Sequence, residues 1–243
     1  MKKASVTAIA LSAVLTMSVA MFAQAPAKAP AKAPATDGAV AVAGGGVFAP
    51  GWTGKVDANE EAAGMKLENA KFSQTGNVIS VTTGPATNYW NPANRATGDY
   101  TVKATFNEPK FQNLMNHPHP YGLFIAGNDM GTPNQSLLYC AAYGTGVFIV
   151  RGFGPAPFQM NGRRGEPNPA INKAAAVGSP VSQEIAMSVK GTQVTCSING
   201  TVVGTYEKPT VVADGKLKST DGIYGIRFAH NTEGTVTGFA MTK

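Results

Sequence analysis

The chain has 243 residues, of which 43% are hydrophobic and 14% charged, and it contains 28 glycines and 16 prolines. This composition excludes a disordered chain, which is poor in apolar residues and rich in charge, and a coiled coil, which is dominated by Ala, Glu, Lys, Leu and Arg. Half of the net charge of +6 lies before residue 47, because from there on 16 lysines and arginines face 13 acidic residues. So small an excess of positive charge predicts no nucleic-acid partner.

The first 25 residues have the pattern of a secretory signal peptide. Lys2 and Lys3 form a charged start, residues 8–20 are an apolar stretch of 13 residues, and small residues follow. A stretch of that length is too short to cross a bilayer, which disfavours the alternative of a membrane anchor, and no later segment is long and apolar enough to span. We therefore expect residues 1–25 to be a signal peptide and the mature protein to be secreted or periplasmic.

Residues 26–46 are predicted to form a linker. They repeat Pro-Ala-Lys-Ala and end in three glycines. The part that contains alanine and proline is expected to be extended and the glycines flexible, and neither part can bury a core. The remaining residues, 47–243, are numerous enough for a single β-domain with a sizeable core.

Short runs of alternating apolar and polar residues, separated by turn signals, predict an all-β domain. In residues 99–106 the even-numbered residues are apolar, and the threonines and lysine between them form the other face. Residues 121–126 and 147–150 are apolar on both faces, which is typical of strands that are covered on each side. About 11 or 12 such strands are expected to form an antiparallel two-sheet β-sandwich. Further strands are predicted at residues 78–82, 137–142, 223–229 and 236–241.

Residues 183–207 predict a three-strand meander, because two turn signals agree on one apolar face. If Lys190-Gly191 and Asn199-Gly200 are two-residue loops, Val189 pairs with Thr192 and Ile198 pairs with Thr201. The shared apolar face then consists of Ile185, Met187, Val189, Val194, Cys196, Ile198 and Val203.

Four of these segments resemble strands of the concanavalin A-like lectin/glucanase superfamily. Residues 98–102 look like its Gly-Asp-Phe-x-Val strand, and residues 121–125 look like its central strand. Residues 189–200 resemble its Asn-Gly meander, and residues 221–227 resemble its penultimate strand. The same order occurs in secreted bacterial 3-keto-disaccharide hydrolase-like and LamG-like domains. The resemblance covers residues 70–243 and implies the jelly-roll fold, together with either carbohydrate binding or glycoside hydrolysis.

The acidic residues argue against one form of that hydrolysis. Most glycosidases need two carboxylates roughly 5 to 9.5 Å apart, and laminarinase-type members of the superfamily carry theirs as Glu-x-Asp-x-x-Glu on one strand. No strand predicted here has acids at alternate positions, and Asp99, Glu184 and Asp221 stand alone at strand starts. Carboxylates from separate loops would still allow catalysis.

Candidate ligand-binding residues lie on several predicted strands. Asn88, Trp90 and Asn91 place an aromatic ring beside two amides, as sugar sites do, although a core tryptophan is the alternative. Tyr121 begins a strand that is apolar on both faces, one of which either a ligand or a loop would cover. Tyr139 would extend an aromatic platform, unless it packs in the core.

Two arginines, Arg151 and Arg227, interrupt apolar strands. A half-buried guanidinium needs an anionic or carbonyl partner, so each either holds a ligand or braces a loop acid such as Glu166 or Asp129. Residues 152–177 form a long loop, which is either a lid over the sheet or a solvated excursion.

The three histidines of the chain, His117, His119 and His230, suggest a metal site. Residues at i and i+2 of an extended segment face the same side, and three imidazoles leave a fourth position on zinc open. The alternative is a proline-stiffened loop whose histidines bond to backbone or water. No cofactor is expected unless this metal site exists, in which case the cofactor would be zinc or calcium.

Cys140 and Cys196 are the two cysteines, and both alternate with apolar residues in predicted strands. An oxidising compartment permits a disulfide between them, while two buried free thiols are the equal alternative.

Together these patterns favour a secreted domain that binds a carbohydrate or cell-envelope glycan without catalysis. The alternative is a hydrolase or lyase that acts on disaccharides or glycosides, metal-assisted through the histidines. A third alternative is a structural surface module that binds another protein through a sheet edge. The oligomeric state is not predicted.

Overall fold

The computed structural model describes Met1 and residues 38–114 and 117–243. The predicted signal peptide after Met1 and the linker up to residue 37 lie outside the described residues. Contacts divide the chain into Met1–Pro34 and Ala35–Lys243, and every strand and helix given below belongs to the second unit.

The second unit consists mainly of β-strands. Its helices are α1 (Ala58–Ala62), α2 (Lys208–Val211) and a 3-10 turn at Leu67–Asn69. No helix in the described part of the chain is long and apolar enough to cross a membrane. In chain order the strands are β1 (Gly46–Phe48), β2 (Thr53–Val56), β3 (Lys71–Thr75), β4 (Val78–Thr82), β5 (Thr87–Ala96), β6 (Tyr100–Glu108), β7 (Asn113–Leu114), β8 (His117–Pro118), β9 (Tyr121–Asn128), β10 (Ser136–Tyr143), β11 (Val147–Phe153), β12 (Phe158–Gln159), β13 (Glu166–Pro167), β14 (Val181–Lys190), β15 (Gln193–Ile198), β16 (Thr201–Glu207), β17 (Gly222–Phe228) and β18 (Glu233–Thr242).

Two large sheets form a sandwich, which confirms the predicted fold class. Sheet A has the strand order β1-β3-β4-β18-β6-β14-β15-β16, and sheet B has the order β12-β11-β10-β9-β17-β5-β2, with β13 also paired to β11. The pairings are antiparallel except for β1 with β3. Strands β7 and β8 form a separate small ribbon.

The alternation expected in β6 is present. Tyr100, Val102, Ala104 and Phe106 are buried between the sheets, whereas Lys103 is exposed. Aromatic rings from both sheets meet in this core: Phe72 stacks on Tyr89 with centroids 4.7 Å apart, and Phe106 stacks on Tyr121 at 5.6 Å. The alternation of apolar and polar residues thus identifies which face of a strand meets the core, when only one face is buried.

The meander β14–β15–β16 has the predicted apolar face but a different first register. Val189 pairs with Val194, and not with Thr192, so the loop is Gly191-Thr192. The predicted pairing was therefore wrong by two residues, a shift that leaves every side chain on its own face. In the second hairpin Ile198 pairs with Thr201 as expected, and a bulge follows beyond Ser197.

The last residues of the predicted linker lie against the sandwich. The backbone N–H of Val42 donates to Asn69 O at 2.9 Å, and that of Gly46 donates to Ala70 O at 2.7 Å. The N–H of Val40 donates to Asn231 Oδ1 at 2.9 Å. Ordered backbone bonds therefore begin before residue 47.

A disulfide joins the two sheets. Cys140 of β10 and Cys196 of β15 are bridged across the core, with their Cα atoms 6.1 Å apart and a sequence separation of 56. Of the two alternatives that the sequence leaves open, the structure contains the bridge. It ties a central strand of sheet B to a strand near the edge of sheet A.

Removal of this bridge is expected to lower the free energy of unfolding. The double substitution Cys140→Ala with Cys196→Ala frees a loop of 56 residues, which corresponds to about 4 kcal/mol in the chain-entropy model. Urea unfolding of the variant and of the oxidised protein measures the difference. An unchanged unfolding midpoint at equal m-value would contradict the expectation.

A carboxylic acid also lies inside the core. Glu108 ends β6 on the same face as Phe106, is 3% exposed, and accepts a bond at 3.3 Å from the N–H of Gln112. Burial raises the pKa of Glu108 to about 7, and the Gln112 N–H opposes this shift. The folded protein therefore holds a proton at pH values where the unfolded chain has released it.

Stability is accordingly expected to fall as the pH rises from about 4.5 to about 7 and to stay level above that window. Glu108→Gln should remove this slope and raise the free energy of unfolding at pH 8 by about 2–3 kcal/mol. Urea unfolding at pH 5, 6, 7 and 8 measures both effects. The control is Glu184→Gln, because the side chain of Glu184 is 46% exposed. If the free energy of unfolding of Glu108→Gln depends on pH in the same way as that of the parent, Glu108 is not the group responsible.

Candidate functional site

The outer face of sheet B, which points away from sheet A, carries its own layer of apolar side chains. Trp90 is 4% exposed and Tyr139 is 6% exposed, so these rings are packed and do not form an open platform. We call this layer the outer cluster. Its buried members are Trp90, Phe124, Leu137, Tyr139, Ala141, Ile149 and Ile223, and Met130, Tyr143 and Phe153 pack against them.

Arg227 of β17 lies within this layer. Its guanidinium makes a two-pronged ion pair with Asp57, at 2.7 and 2.5 Å, and donates to Asn88 Oδ1 at 3.0 Å. The rings of Tyr139 and Phe153 lie 4.8 and 5.0 Å from its central carbon. Burial disfavours the charge, but Asp57 outweighs it, so the pKa of Arg227 is raised above its ordinary value. Arg227 and Asn88 therefore brace the fold.

A cleft of about 520 Å³ opens beside this network. Strands β10 and β11 and the turn between them form its floor, the ribbon strand β8 one wall, and the β12–β13 connection another. We call it the arginine cleft. Its lining residues are His117, Pro118, Tyr143, Thr145, Val147, Arg151, Arg163 and Arg164.

The β12–β13 connection is held in place by an asparagine. Asn161 Oδ1 accepts from the N–H of Val150 at 2.9 Å, and its Nδ2 donates to Phe148 O at 3.2 Å. Arg151 donates to Arg163 O across the cleft. The long segment predicted at residues 152–177 thus folds back onto β11, through both β12 and β13.

The cleft is strongly positive. It contains three guanidinium groups, and none of the described residues that line it is acidic. The Nε–H of Arg151 is buried and has no hydrogen-bond partner among the described residues. Burial raises the pKa of Tyr143, although Arg151 and Arg227 act in the opposite direction, so its hydroxyl stays protonated at neutral pH and can donate. Such a cleft suits an anionic, hydroxyl-bearing ligand.

The three histidines meet at one end of the arginine cleft. The ring of His119 lies 4.1 Å from that of His230 and 5.2 Å from that of His117, and His117 and His230 are 6.3 Å apart. His230 Nδ1 lies 3.0 Å from Glu60 Oε1, and Glu60 Oε2 accepts from the N–H of Ala86 at 2.7 Å. Within the described ranges, no three or more His, Cys, Asp or Glu side chains are placed so that they could hold a metal ion.

The other predicted ligand residues are dispersed. Tyr121 is fully buried in the core between the sheets, so it lies on the opposite face from the cleft, which corrects its assignment to a ligand surface. Trp90 belongs to the outer cluster and borders a separate pocket with Arg95. Asn91 lies at a sheet edge. Of the predicted ligand residues, Arg151 is the one that lines the arginine cleft.

The partners of the arginines also differ from those expected. Asp129 pairs with Lys218, and Glu166 Oε1 accepts from the N–H of Gly162 at 3.2 Å. Asp57 takes the bracing role beside Arg227, from a position 170 residues away in the chain. No local pattern marks that partner, because the pairing depends on how the end of β2 lies across β5 from β17.

Comparisons with known proteins bear on the fold. A scan against protein-family models and a search of curated proteins find no match. Among solved structures, the carbohydrate-binding module CBM66 from Bacillus subtilis matches with a TM-score of 0.52 at 8% identity, over 79% of this chain and 96% of its own. The chain has a concanavalin A-like β-sandwich fold.

Two further structures give weaker matches. An endo-β-1,3-glucanase from Pyrococcus furiosus has a TM-score of 0.46 at 13% identity and 78% coverage of each chain. Sheep galectin-11 has a TM-score of 0.39 at 12% identity, over 68% of this chain and 96% of its own. At these identities the similarity concerns the sandwich and not what it does.

The ion pair between Asp57 and Arg227 is expected to be essential for stability. Asp57→Asn leaves a buried guanidinium without its counter-charge, which should cost about 3 kcal/mol or more in urea unfolding. The matched control is Glu61→Gln, because Glu61 is 54% exposed in its pair with Lys55, and its loss should cost at most about 1 kcal/mol. Equal losses in the two variants would contradict a bracing role for Asp57.

Proposed function

We propose that the protein is a glycan-binding module that holds an acidic saccharide in the arginine cleft without cleaving it. The observation that carries the proposal is the cleft itself, with Arg151, Arg163 and Arg164 around one space and no acidic residue among its described lining. Carboxylate and sulfate groups are the saccharide substituents that arginine forks bind with two parallel hydrogen bonds.

The remaining polar groups of the cleft suit a sugar ring. Tyr143 is half-buried and offers both a ring edge and a hydroxyl donor. Thr145 adds a hydroxyl group that can donate or accept. A volume of about 520 Å³ lies within the range of small-ligand pockets. The similarity of the fold to a module named for carbohydrate binding supports the same class of ligand.

Binding is favoured over hydrolysis because the nearby carboxylates are engaged. Asp57 is tied to Arg227 by two hydrogen bonds, and Glu60 is tied to His230 and to the backbone of Ala86. A glycosidase of the two-carboxylate kind needs one acid to attack or activate water and another to protonate the leaving group. Neither role fits a carboxylate that neutralises a buried arginine.

One observation favours a second candidate, a hydrolase or lyase. Glu60 and His230 form a carboxylate–imidazole pair, and the ring of His119 lies 4.1 Å beyond it, at the end of the arginine cleft. An imidazole oriented by a carboxylate is a common general base or acid. In this reading the arginines would bind the acidic group of the substrate, while His230, which Glu60 orients, and the adjacent His119 would move a proton.

Export belongs to the proposal as well. The first 25 residues have the composition of a secretory signal, and the Cys140–Cys196 bridge suits an oxidising compartment. The partner is therefore expected to be a glycan of the cell envelope or its surroundings.

The test compares an acidic glycan with its neutral counterpart. In calorimetry or affinity-gel retardation, the protein should bind oligogalacturonate, alginate or heparin fragments, and carboxyl-reduced oligogalacturonate should bind at least tenfold more weakly. Arg151→Ala with Arg163→Ala should weaken binding to the acidic glycan by about 100-fold or more, since each of the two lost charged hydrogen bonds is worth about 1.5–3 kcal/mol. Arg95→Ala removes one positive charge outside the cleft and serves as the control.

Three outcomes would count against the proposal. If none of the acidic glycans binds, or if Arg95→Ala weakens binding as much as the double variant, the arginine cleft is not the site. If the acidic glycan is depolymerised, with new reducing ends or unsaturated products that vanish in His119→Ala, the second candidate replaces the first.

A further inference from the structure

A second pocket lies at the edge of the sandwich and shares no lining residue with the arginine cleft. Its volume is about 590 Å³. Four separate segments contribute to it: the β1–β2 connection, the β3–β4 hairpin, the second half of β5 and the last part of β18. We call it the edge pocket, and the side chains that matter here are Trp52, Gln74, Asn77, Asn91, Asn94 and Phe239.

One wall of the edge pocket is aromatic. The ring of Trp52 lies 5.7 Å from that of Phe239, and Phe239 lies 5.6 Å from Tyr224. Trp52 is anchored below by Phe72 of the core, at 4.9 Å. Trp52, Phe239 and Tyr224 are all half-buried, in contrast with the 4% exposure of Trp90. A half-buried ring keeps one surface available for a ligand.

A bulge in β18 creates this wall. Thr237 pairs with Thr105 and Ala240 pairs with Lys103, so three steps on β18 oppose two steps on β6. Gly238 takes the extra position with φ of +62°, a conformation that glycine adopts without a steric penalty. Regular alternation would place Phe239 on the same face as Thr237, whereas the bulge directs it to Trp52. Bulges commonly re-aim side chains in this way beside functional sites.

The rim of the edge pocket is made of amides. Gln74 and Asn77 come from the β3–β4 hairpin, and Asn91 and Asn94 come from β5. Gln74 Nε2 donates to Gly76 O at 3.1 Å, and Asn91 Oδ1 accepts from the N–H of Ala93 at 3.0 Å, which fixes both side chains. Of the described residues that line the pocket, none is charged.

This combination selects one class of ligand. Amides offer a donor and an acceptor each, as the hydroxyl groups of a sugar require, and an aromatic ring packs against the C–H face of a pyranose. An anion or a cation would find no counter-charge here, and a purely apolar ligand would leave the amides without partners. We propose that the edge pocket is a second carbohydrate site, which binds a neutral sugar unit.

The test follows the fluorescence of Trp52 alone. The chain has two tryptophans, so Trp90→Phe leaves Trp52 as the single reporter. Neutral oligosaccharides of glucose, galactose and mannose are the probes, and at least one should change the emission of Trp52 with saturation. Asn77→Ala with Asn94→Ala should weaken that binding by at least tenfold. These residues lie on the rim, so the variant is expected to keep the parent's urea midpoint.

A matched control separates this site from the arginine cleft. Arg151→Ala with Arg163→Ala should leave the binding of the neutral sugar unchanged, and the asparagine variant should leave the binding of acidic glycan unchanged. Phe239→Leu provides a second test, because it removes the aromatic surface and keeps an apolar side chain, and it should also weaken neutral-sugar binding. The proposal is overturned if no neutral probe alters Trp52 emission, or if the asparagine variant binds as tightly as the parent.

Discussion

Arg227 carries a full charge inside a layer of aromatic rings, and the arrangement of the outer face follows from the need to satisfy that charge. Asp57 directly follows β2, which lies across β5 from β17, and its carboxylate must reach Arg227, since an unpaired guanidinium at this depth would be costly. That position starts α1, and the helix then places Glu60 against His230 and the backbone of Ala86. His230 is thus oriented by a series of contacts that begins at one buried arginine, and its ring lies 6.3 Å from that of His117, which lines the arginine cleft.

The fold was predictable from the alternation of apolar and polar residues wherever only one face of a strand is buried. In β6, alternation separates Tyr100 and Phe106 from Lys103 without ambiguity, and the meander keeps its apolar face even though its first hairpin is displaced by two residues. A register shift by two residues changes which residues pair but leaves each side chain on the same face. The alternation of apolar and polar residues therefore cannot reveal such a shift. The turn signal was also ambiguous, because Gly191 can serve as either the first or the second residue of a two-residue loop.

The site was less predictable, for physical reasons that particular residues illustrate. Tyr121 starts a strand that is apolar on both faces, so its sequence does not say which face meets sheet A. By contrast, the alternation of side chains along β11 does place Arg151 on the same face as Val147 and Ile149, and Arg151 lines the cleft. The acids that engage Arg227 and His230 are both 170 residues distant, and such pairings are a property of the packed sheets. Arg163 and Arg164 reach the cleft only because Asn161 pins their loop to β11.

The bulge at Gly238 has an evolutionary implication. It adds one residue to β18 between Thr237 and Ala240, and because the bulge accommodates that residue, Phe239 still turns toward Trp52. Insertion of the Gly238 codon therefore leaves the β6–β18 ladder on either side with its hydrogen bonds, and it moves no side chain beyond the bulge to the opposite face. Relatives of this domain that lack the extra codon should retain the sandwich and still have an apolar side chain opposite Ala104.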